Sequence, residues 1–324
     1  MESITKNRQT KTDIINMVQK AFGCYITDQS ISIKELTEGF FNVAYELVLP
    51  DQTVILKIAP PQGAMVMSYE ENIMKAEVEA LTLVKKNTRV PVPEVLYYDD
   101  SHSICDADYF FMEKIEGDSF FQQKNKGLVP FEVQNSIYSQ MGCYNYELNQ
   151  IKGELFGYLG TPKKQGRNWR ETFLTLQENV LQDGERIGIN LTVPYDKLRT
   201  YIHKASYSLD EVTEPSFVHW DLWDGNVFIK ENKISGIIDF ERAMWADPLM
   251  EFNFRSHIKI KDFYEGYGRY LREEAPVRAL LYDIYLFSIM VIETKYRGYP
   301  DQWQYNFASK QLRQVMEELE KVIN

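Results

Sequence analysis

The sequence predicts an α+β fold with two lobes, because strand-like patterns dominate its first third and helical patterns dominate the rest. Short runs rich in β-branched and aromatic residues lie within residues 31–115, together with one helical segment. After residue 117, apolar residues recur mainly at helical spacing. We therefore predict a small, mainly antiparallel β lobe with one main helix at residues 1–115, and a larger, mainly helical lobe at residues 116–324.

The small lobe is predicted to begin with a short amphipathic helix at residues 11–21. Its main helix is predicted at residues 70–86, where alanine, leucine and valine supply an apolar face. The turn signal Pro50-Asp51 separates two of the strands. The five predicted strands span residues 31–36, 43–49, 53–58, 94–98 and 109–115.

The large lobe is predicted to contain a short β region among helices. The most apolar late stretch, residues 280–292, is interrupted by Asp283 and is shorter than the roughly 20 residues that a membrane span needs. We therefore expect a buried helix there and no membrane partner. The predicted helices span residues 131–150, 169–187, 195–209, 261–274, 277–296 and 307–322, and the β region spans residues 217–220, 227–230 and 234–238.

Composition excludes several classes of protein. The formal net charge of −11 argues against a nucleic-acid partner, which normally requires a basic patch. Three cysteines without CxxC spacing predict neither a disulfide framework nor a zinc site, and they fit reduced thiols in the cytosol. The N-terminal residues contain no apolar run of the signal-peptide type. We therefore expect a cytoplasmic protein.

One segment combines the residue types that phosphoryl transfer requires. It reads FVHWDLWDGN at residues 217–226 and IIDFE at residues 237–241. Transfer from ATP needs a carboxylate near the attacking hydroxyl and oxygen ligands that hold Mg²⁺ against the phosphates. In the H-x-D-x-x-x-x-N spacing, Asp221 is the candidate catalytic residue, and Asn226 and Asp239 are the candidate magnesium ligands.

A hairpin explains how two ligands far apart in sequence can meet. Residues 227–238 are predicted to form two strands, whose outer ends carry Asn226 and Asp239. A solvated polar turn is the alternative for His-x-Asp taken alone, but the full spacing favours the kinase interpretation. We expect His219 to brace the loop by hydrogen bonding.

The central segment resembles the aminoglycoside phosphotransferase and choline kinase-like family, whose catalytic stretch reads H-G-D-x-x-x-x-N, then a strand and I-D-[FW]-[ED]. Fructosamine kinases are similar and carry D-L-W after the histidine. The resemblance implies a protein-kinase-like fold and a small-molecule kinase that uses ATP, or GTP, with Mg²⁺. Trp220 departs from the family, which usually has a small residue there, and Glu241 replaces the glycine of protein kinases. The matching residues are 221–226, 239–241 and 246–248.

A lone lysine in an apolar strand needs a partner, and Lys57 lies in such a strand. A kinase supplies two partners, the nucleotide phosphates and a glutamate on the main helix. The resemblance favours Glu77, because residues 77–81 match the family's E-x-x-x-L helix. The rival carboxylates are Glu70, Glu71 and Glu79.

Two further nucleotide contacts depend on the resemblance. The loop between the first two strands contains only Gly39, so an ordinary β-turn is the alternative to a phosphate-binding loop. The resemblance implies that Asn42 donates to a phosphate. It also implies that the Glu113 carbonyl and the Ile115 amide pair with adenine, where the alternative is a plain strand followed by a turn.

The acceptor is predicted to be the hydroxyl of a small molecule, such as an aminoglycoside, an amino sugar or an amino alcohol. Carboxylates and tryptophans near the catalytic segment suit a cationic acceptor, although core packing explains the tryptophans equally well. A catalytically silent nucleotide-binding protein and a protein kinase are the alternatives. Monomer and homodimer are equally compatible with the sequence. The carboxylates are Asp224, Glu241, Asp247 and Glu251, and the aromatic residues are Trp220, Trp223, Trp245, Tyr296 and Trp303.

Overall fold

The structure is a computed structural model that describes residues 5–37, 39 and 41–324. Its first lobe is built on a five-stranded antiparallel sheet with strand order β1-β2-β3-β5-β4. The predicted antiparallel sheet is therefore confirmed. Its strands are β1 (Ser32–Leu36), β2 (Val43–Val48), β3 (Thr53–Ile58), β4 (Val95–Asp99) and β5 (Tyr109–Glu113).

Both faces of this sheet are covered. Val54 and Leu56 pack with helix α1 (Lys11–Phe22), whereas Ile55 packs on the opposite face with helix α2 (Ile73–Asn87). Successive side chains in a strand point to opposite faces. Lys57 therefore shares the face of Ile55 and points toward α2.

Helix α2 begins three residues later than the predicted start at residue 70. The Glu70 carboxylate accepts a hydrogen bond from the Met67 amide at 2.8 Å, and the Glu70 amide donates to the Met67 carbonyl at 2.9 Å. Asn72 then adopts a left-handed conformation with φ of 55°. These features hold the chain in a turn and delay the helix to Ile73.

The remaining helices confirm the predicted helical lobe. One predicted helix at residues 261–274 is wrong, because Gly268 takes a left-handed φ of 83° and ends α7. The predicted helix at 195–209 also stops early and continues as a 3₁₀ turn (Ser206–Glu211). The helices are α3 (Phe120–Asn125), α4 (Phe131–Asn149), α5 (Trp169–Ile187), α6 (Tyr195–Ala205), α7 (Lys261–Tyr267), α8 (Leu271–Glu274), α9 (Pro276–Tyr296) and α10 (Trp303–Ile323).

Two small sheets lie among these helices. One has the strand order β10-β9-β6 and the other β7-β11-β8. The hairpin β9-β10 is the one predicted from the sequence, with Val227 paired to Ile237. The lobe boundary after residue 115 stays a prediction. The strands are β6 (Asp118–Ser119), β7 (Gly157–Tyr158), β8 (Ser216–Val218), β9 (Val227–Lys230), β10 (Lys233–Ile237) and β11 (Met244–Ala246).

Helix α9 is the central element of the large lobe, and 15 of its 21 residues are buried. The Asp283 carboxylate, which interrupts its apolar run, pairs with Arg272 at 2.8 Å and with Arg255 at 3.5 Å. Within the described ranges, the chain has no helix whose length and apolar character would let it cross a membrane.

Asp99 ties α1 to the edge of the five-stranded sheet. Its buried carboxylate accepts hydrogen bonds from the Tyr109 hydroxyl at 2.6 Å and the Ser101 amide at 2.8 Å, and it pairs with Lys20 at 2.5 Å. Burial alone would raise the pKa of Asp99, but these donors, with Lys20 the strongest, hold it below its ordinary value.

We expect Asp99→Asn to lower the free energy of unfolding by about 2 kcal/mol at neutral pH, since it weakens charge-assisted hydrogen bonds. The folded-state pKa is depressed, so this stability is present above about pH 4 and is lost as the pH falls further. Urea unfolding at several pH values measures the difference. Asp100→Asn, at the exposed neighbouring residue, is the control. A difference as large at pH 2 as at pH 7 would contradict the assignment.

Candidate active site

The catalytic loop connects β8 to β9, and one buried carboxylate holds it. Glu251 accepts hydrogen bonds from the backbone amides of His219, Trp220 and Leu222 at 3.1–3.2 Å. It also accepts from its neighbouring Phe252 amide at 3.0 Å and from the Asn145 side chain at 3.1 Å. Glu251 is fully buried. It therefore shapes the loop, and its carboxylate is not available to a cationic acceptor as the sequence suggested.

Replacing this carboxylate tests its bracing role. Glu251→Gln keeps the size of the side chain but turns an amide group toward backbone donors. We expect the free energy of unfolding to fall by about 3 kcal/mol, because charge-assisted hydrogen bonds are lost and a buried donor is left unpaired. Thermal and urea unfolding measure the loss. The exposed Glu318→Gln on α10 is the control, and equal stability of the two variants would refute the role.

His219 makes the two hydrogen bonds expected of a bracing residue. Its Nε2 donates to the Ile238 carbonyl at 2.9 Å, and its Nδ1 accepts from the Asp221 amide at 3.2 Å. This pattern requires the neutral imidazole with the proton on Nε2. Burial lowers the pKa of His219, which favours the same neutral form.

The two predicted magnesium ligands lie at adjoining ends of the β9-β10 hairpin. The Ile238 amide donates to the Asn226 carbonyl at 3.0 Å, one residue before Asp239. The Asn226 side chain in turn donates to the Asp221 carbonyl at 2.9 Å. Asp239 has a left-handed φ of 68°, a conformation that aspartate and asparagine tolerate better than most residues. The structure thus brings Asp221, Asn226 and Asp239 into one site.

Lys57 joins this site from the small lobe. Its Nζ donates to both carboxylate oxygens of Glu77, at 2.8 and 2.6 Å, and to Asp239 Oδ1 at 2.8 Å. Burial alone would lower the pKa of Lys57, but Asp239 and Glu77 raise it above its ordinary value. Lys57 is therefore a permanent cation between the two lobes.

Glu77 is the carboxylate that Lys57 contacts, as the sequence predicted. The three rivals have other cationic partners in the structure. Glu70 pairs with Arg297 at 2.8 Å, Glu71 with Lys164 at 2.5 Å, and Glu79 with Lys75 at 4.0 Å.

Three carboxylates surround this single lysine. Glu77, Asp239 and Glu241 each offer one oxygen within 4.8 Å of the others. Burial, with Asp239 close by, raises the pKa of Glu241 to about 8. Burial also raises the pKa of Glu77 to about 7, although Lys57 opposes the shift. A buried group of three carboxylates and one ammonium suits an added divalent cation, and carboxylate oxygens are the ligands that Mg²⁺ prefers. The residues present therefore fit a magnesium ion.

The Asp221 carboxylate accepts no hydrogen bond from the described residues, so it remains available to an acceptor. Burial raises the pKa of Asp221 to about 7, while the positive charge of Arg242 opposes that shift. Arg242 was not predicted from the sequence. Its guanidinium lies 5.4 Å from the Tyr69 ring centroid and 5.5 Å from that of Trp220. Its only sequence signal was its place three residues after Asp239.

The predicted phosphate loop contacts the opposite side of the cleft. Asn42 Nδ2 donates to Glu241 Oε2 at 2.8 Å, and both side chains are buried. In this structure the Asn42 side-chain amide therefore donates to a carboxylate. The predicted hydrogen bond from Asn42 to a phosphate stays a prediction. Gly39 lies exposed in the same loop.

The predicted adenine contacts lie at the end of β5. Glu113 is its last residue and is exposed. Ile115 lies over the β9-β10 hairpin, where a Cβ added to Gly236 would come within 2.6 Å of its side chain. The Ile115 amide donates no hydrogen bond within the described part of the chain, so it is free for a nucleotide. Pairing with adenine stays a prediction.

The carboxylates suggested for a cationic acceptor already have partners. Asp224 accepts from the Tyr138 hydroxyl at 2.8 Å and pairs with Lys124, and Asp247 pairs with Arg278 at 2.6 Å. The aromatic residues suggested for the acceptor differ in how deeply they are buried.

Trp220 is the one tryptophan of the catalytic loop that is buried, and it packs near Tyr158 and Tyr285 at centroid distances of 6.2 and 5.7 Å. Its φ of 67° is left-handed, which explains why a small residue is usual there. Tyr296 is buried and Trp303 is 70% exposed. Trp223 packs edge-on against Phe121. Trp220 is therefore a core residue, whereas Trp223 and Trp303 keep exposed surface.

Solved structures with similar folds include aminoglycoside phosphotransferases. A protein assigned as a fructosamine-3-kinase from Haemophilus somnus 129PT is 21% identical, with a TM-score of 0.67, and the match covers 93% of this chain and 96% of that one. APH(2″)-IIa in complex with streptomycin and ATP is 16% identical, with a TM-score of 0.60 and 97% of each chain covered. APH(2″)-IIIa with GDP and kanamycin is 16% identical, with a TM-score of 0.64 and coverage of 95% and 99%. At these identities the likeness shows the kinase-like fold.

A search of curated proteins found no match. The model of the phosphotransferase enzyme family, abbreviated APH, matches residues 32–280, which is more than half of the 324 residues. This range contains every predicted site residue from Gly39 to Asp239. The match confirms the predicted small-molecule kinase and its resemblance to aminoglycoside phosphotransferases. The chain belongs to the phosphotransferase enzyme family.

Proposed function

We propose that this protein transfers the γ-phosphate of ATP, in a magnesium-dependent reaction, to a hydroxyl group of a small molecule. The observation that carries the proposal is the contact of Lys57 with both Glu77 and Asp239, in the same site as a free Asp221 carboxylate. Family membership supports the phosphotransferase class. The nucleotide complexes of APH(2″)-IIa with ATP and APH(2″)-IIIa with GDP support a nucleotide donor, with GTP as the alternative.

Each residue has a role in this proposal. Asp221 accepts the proton of the acceptor hydroxyl as its oxygen attacks the γ-phosphorus and ADP leaves. Lys57, oriented by Glu77, contacts the nucleotide phosphates. Asn226 and Asp239 would hold Mg²⁺, which would neutralise phosphate charge when bound.

The phosphate loop and the strand end complete the nucleotide site in this proposal. Gly39 allows close approach of the backbone to the phosphates, and Asn42 donates to them once it leaves Glu241. The Glu113 carbonyl and the Ile115 amide pair with adenine. The reaction takes place in the cytoplasm, where ATP is available.

We base the proposed class of acceptor on the ligands bound in the similar solved structures. Streptomycin and kanamycin occupy complexes of the aminoglycoside phosphotransferases, so we propose an aminoglycoside-like compound, an amino sugar or an amino alcohol. The paired state of Asp224, Asp247 and Glu251 means that recognition of an amine has to use other groups.

A panel of acceptors tests the proposal. Aminoglycosides, macrolides, choline, fructosamines and homoserine are incubated with ATP and Mg²⁺, and ADP release is coupled to NADH oxidation. We expect at least one compound to raise ADP release above the acceptor-free rate. Nucleotide binding without ADP release for any compound would instead favour a catalytically silent nucleotide-binding protein.

A further inference from the structure

A ladder of alternating charges, formed by Glu70, Arg297, Glu293 and Arg242, runs from the small lobe to the catalytic loop. Arg297 Nη2 lies 2.8 Å from Glu70 Oε1 and 3.4 Å from Glu293 Oε2. Arg242 Nη2 lies 3.2 Å from the same Glu293 oxygen. The side chains are only 2–11% exposed. Charges removed from water in this way must be paired, so the ladder is held as one unit.

The ladder joins three separate parts of the chain. Glu70 lies in the turn before α2, Glu293 and Arg297 lie at the end of α9, and Arg242 follows the magnesium ligand Asp239. The neighbouring Tyr69 is buried and places its ring 5.8 Å from that of Tyr158 in the large lobe.

Arg297 also reaches the phosphate loop. Its guanidinium lies 5.2 Å from the ring centroid of Phe41, next to Asn42. The ladder therefore touches the phosphate loop at one end and the surroundings of the catalytic base at the other.

Arg242 is the key member, because its guanidinium lies 5.5 Å from the ring centroid of Trp220, the residue before Asp221, and its positive charge opposes the effect of burial on the pKa of Asp221. Its one carboxylate partner among the described residues is Glu293, and its Nε makes no hydrogen bond with them. A guanidinium that loses its carboxylate partner in a buried site moves toward the nearest other carboxylate, since an unpaired buried charge is costly. Asp221 is the carboxylate expected to take that place, since it directly follows Trp220, whose ring the Arg242 guanidinium covers.

We propose that Glu293 and Arg297 are positioning residues for the reaction: they hold the Arg242 guanidinium off the Asp221 carboxylate, which stays free to accept a proton. This inference rests on the proposed function. Neither residue touches the nucleotide or the acceptor in it. Glu293 holds Arg242 directly, and Arg297 fixes Glu293 and ties both to the loop that carries Glu70.

A double-mutant cycle tests the proposal. The rate is ADP release from ATP with Mg²⁺, with water as acceptor and with any active compound of the panel. We expect Glu293→Gln to lower kcat by at least about tenfold while the KM for ATP changes by less than about twofold, because a displaced catalytic group costs rate rather than nucleotide binding. Glu293→Asp should recover part of the rate.

The decisive comparison is made in the Arg242→Gln background. If Glu293 acts through Arg242, adding Glu293→Gln to Arg242→Gln lowers kcat no further. Glu178→Gln is the matched control, because it removes a carboxylate that pairs with Arg199 at 2.9 Å on the surface of α5. Additive losses in the double variant would overturn the proposal, as would a rise in the KM for ATP with kcat unchanged.

A second measurement does not depend on turnover. We expect Glu293→Gln and Arg297→Gln to speed hydrogen exchange of the backbone amides in residues 67–72 and 219–222, relative to Glu178→Gln. Unchanged exchange in both segments would overturn the positioning role. Absence of ADP release from the wild type under every condition would contradict the proposed function. The hydrogen-exchange comparison would still show whether Glu293 and Arg297 hold the two segments in place.

Discussion

Asp221→Asn is expected to lower kcat by about 10²- to 10⁴-fold, the usual contribution of a positioned general base. The asparagine has nearly the same shape but cannot accept the acceptor proton. The fold should be unaffected, because no described residue donates to this carboxylate, and the loop is held instead through backbone groups by Glu251 and His219.

Nucleotide binding separates this effect from a structural one. The affinity for ATP with Mg²⁺ should stay near that of the wild type, because the phosphate contacts come from Lys57 and the metal ligands. Coupled ADP release gives kcat, and calorimetric titration gives the affinity. Asp100→Asn is the control. A variant that keeps wild-type turnover would remove Asp221 from the mechanism.

Asp239→Asn is expected to abolish the effect of Mg²⁺ on ATP binding. Loss of a metal ligand should weaken ATP binding in the presence of Mg²⁺ by at least about tenfold, because even supporting residues of metal sites contribute that much. Asparagine tolerates the left-handed backbone at this position, so the local conformation should persist. Lys57 keeps its contact with Glu77 in the variant.

Titration of ATP with Mg²⁺ and with EDTA measures this effect. In the wild type we expect Mg²⁺ to tighten binding, and in Asp239→Asn the two curves should coincide. The control Asp100→Asn should behave as the wild type. Equal tightening by Mg²⁺ in Asp239→Asn would show that the metal is held elsewhere.

The contacts of Lys57 and of the β9-β10 hairpin were predictable because local patterns largely determine them. Lys57 stood out as a charge in an apolar strand, and strand alternation aims it at the face that α2 covers. Glu77 followed from the resemblance of residues 77–81 to the family's E-x-x-x-L helix. Asn226 and Asp239 meet because a short hairpin brings its two ends together, as the structure shows through the hydrogen bond between Ile238 and Asn226.

Other parts of the site have no local signal. Glu251 lies near the catalytic segment in the sequence, but its hydrogen-bond donors are mainly backbone amides about thirty residues earlier. Because almost every residue has a backbone amide, the sequence does not indicate which ones Glu251 contacts. The ladder joins Glu70 to Arg297, which are 227 residues apart. Such pairs depend on how the lobes pack, and one sequence does not reveal that. The late start of α2 has a local cause in the hydrogen bonds between Glu70 and Met67, and Arg297 adds a distant contact to the same turn.

The most direct test of the account follows the phosphate itself. ATP labelled at the γ-phosphate is incubated with Mg²⁺ and the most active acceptor of the panel, and the products are separated. We predict that the wild type transfers the label to the acceptor, that EDTA prevents the transfer, and that Asp221→Asn transfers almost none. Equal labelling of the acceptor by Asp221→Asn, or label found only in inorganic phosphate with every acceptor, would contradict the account.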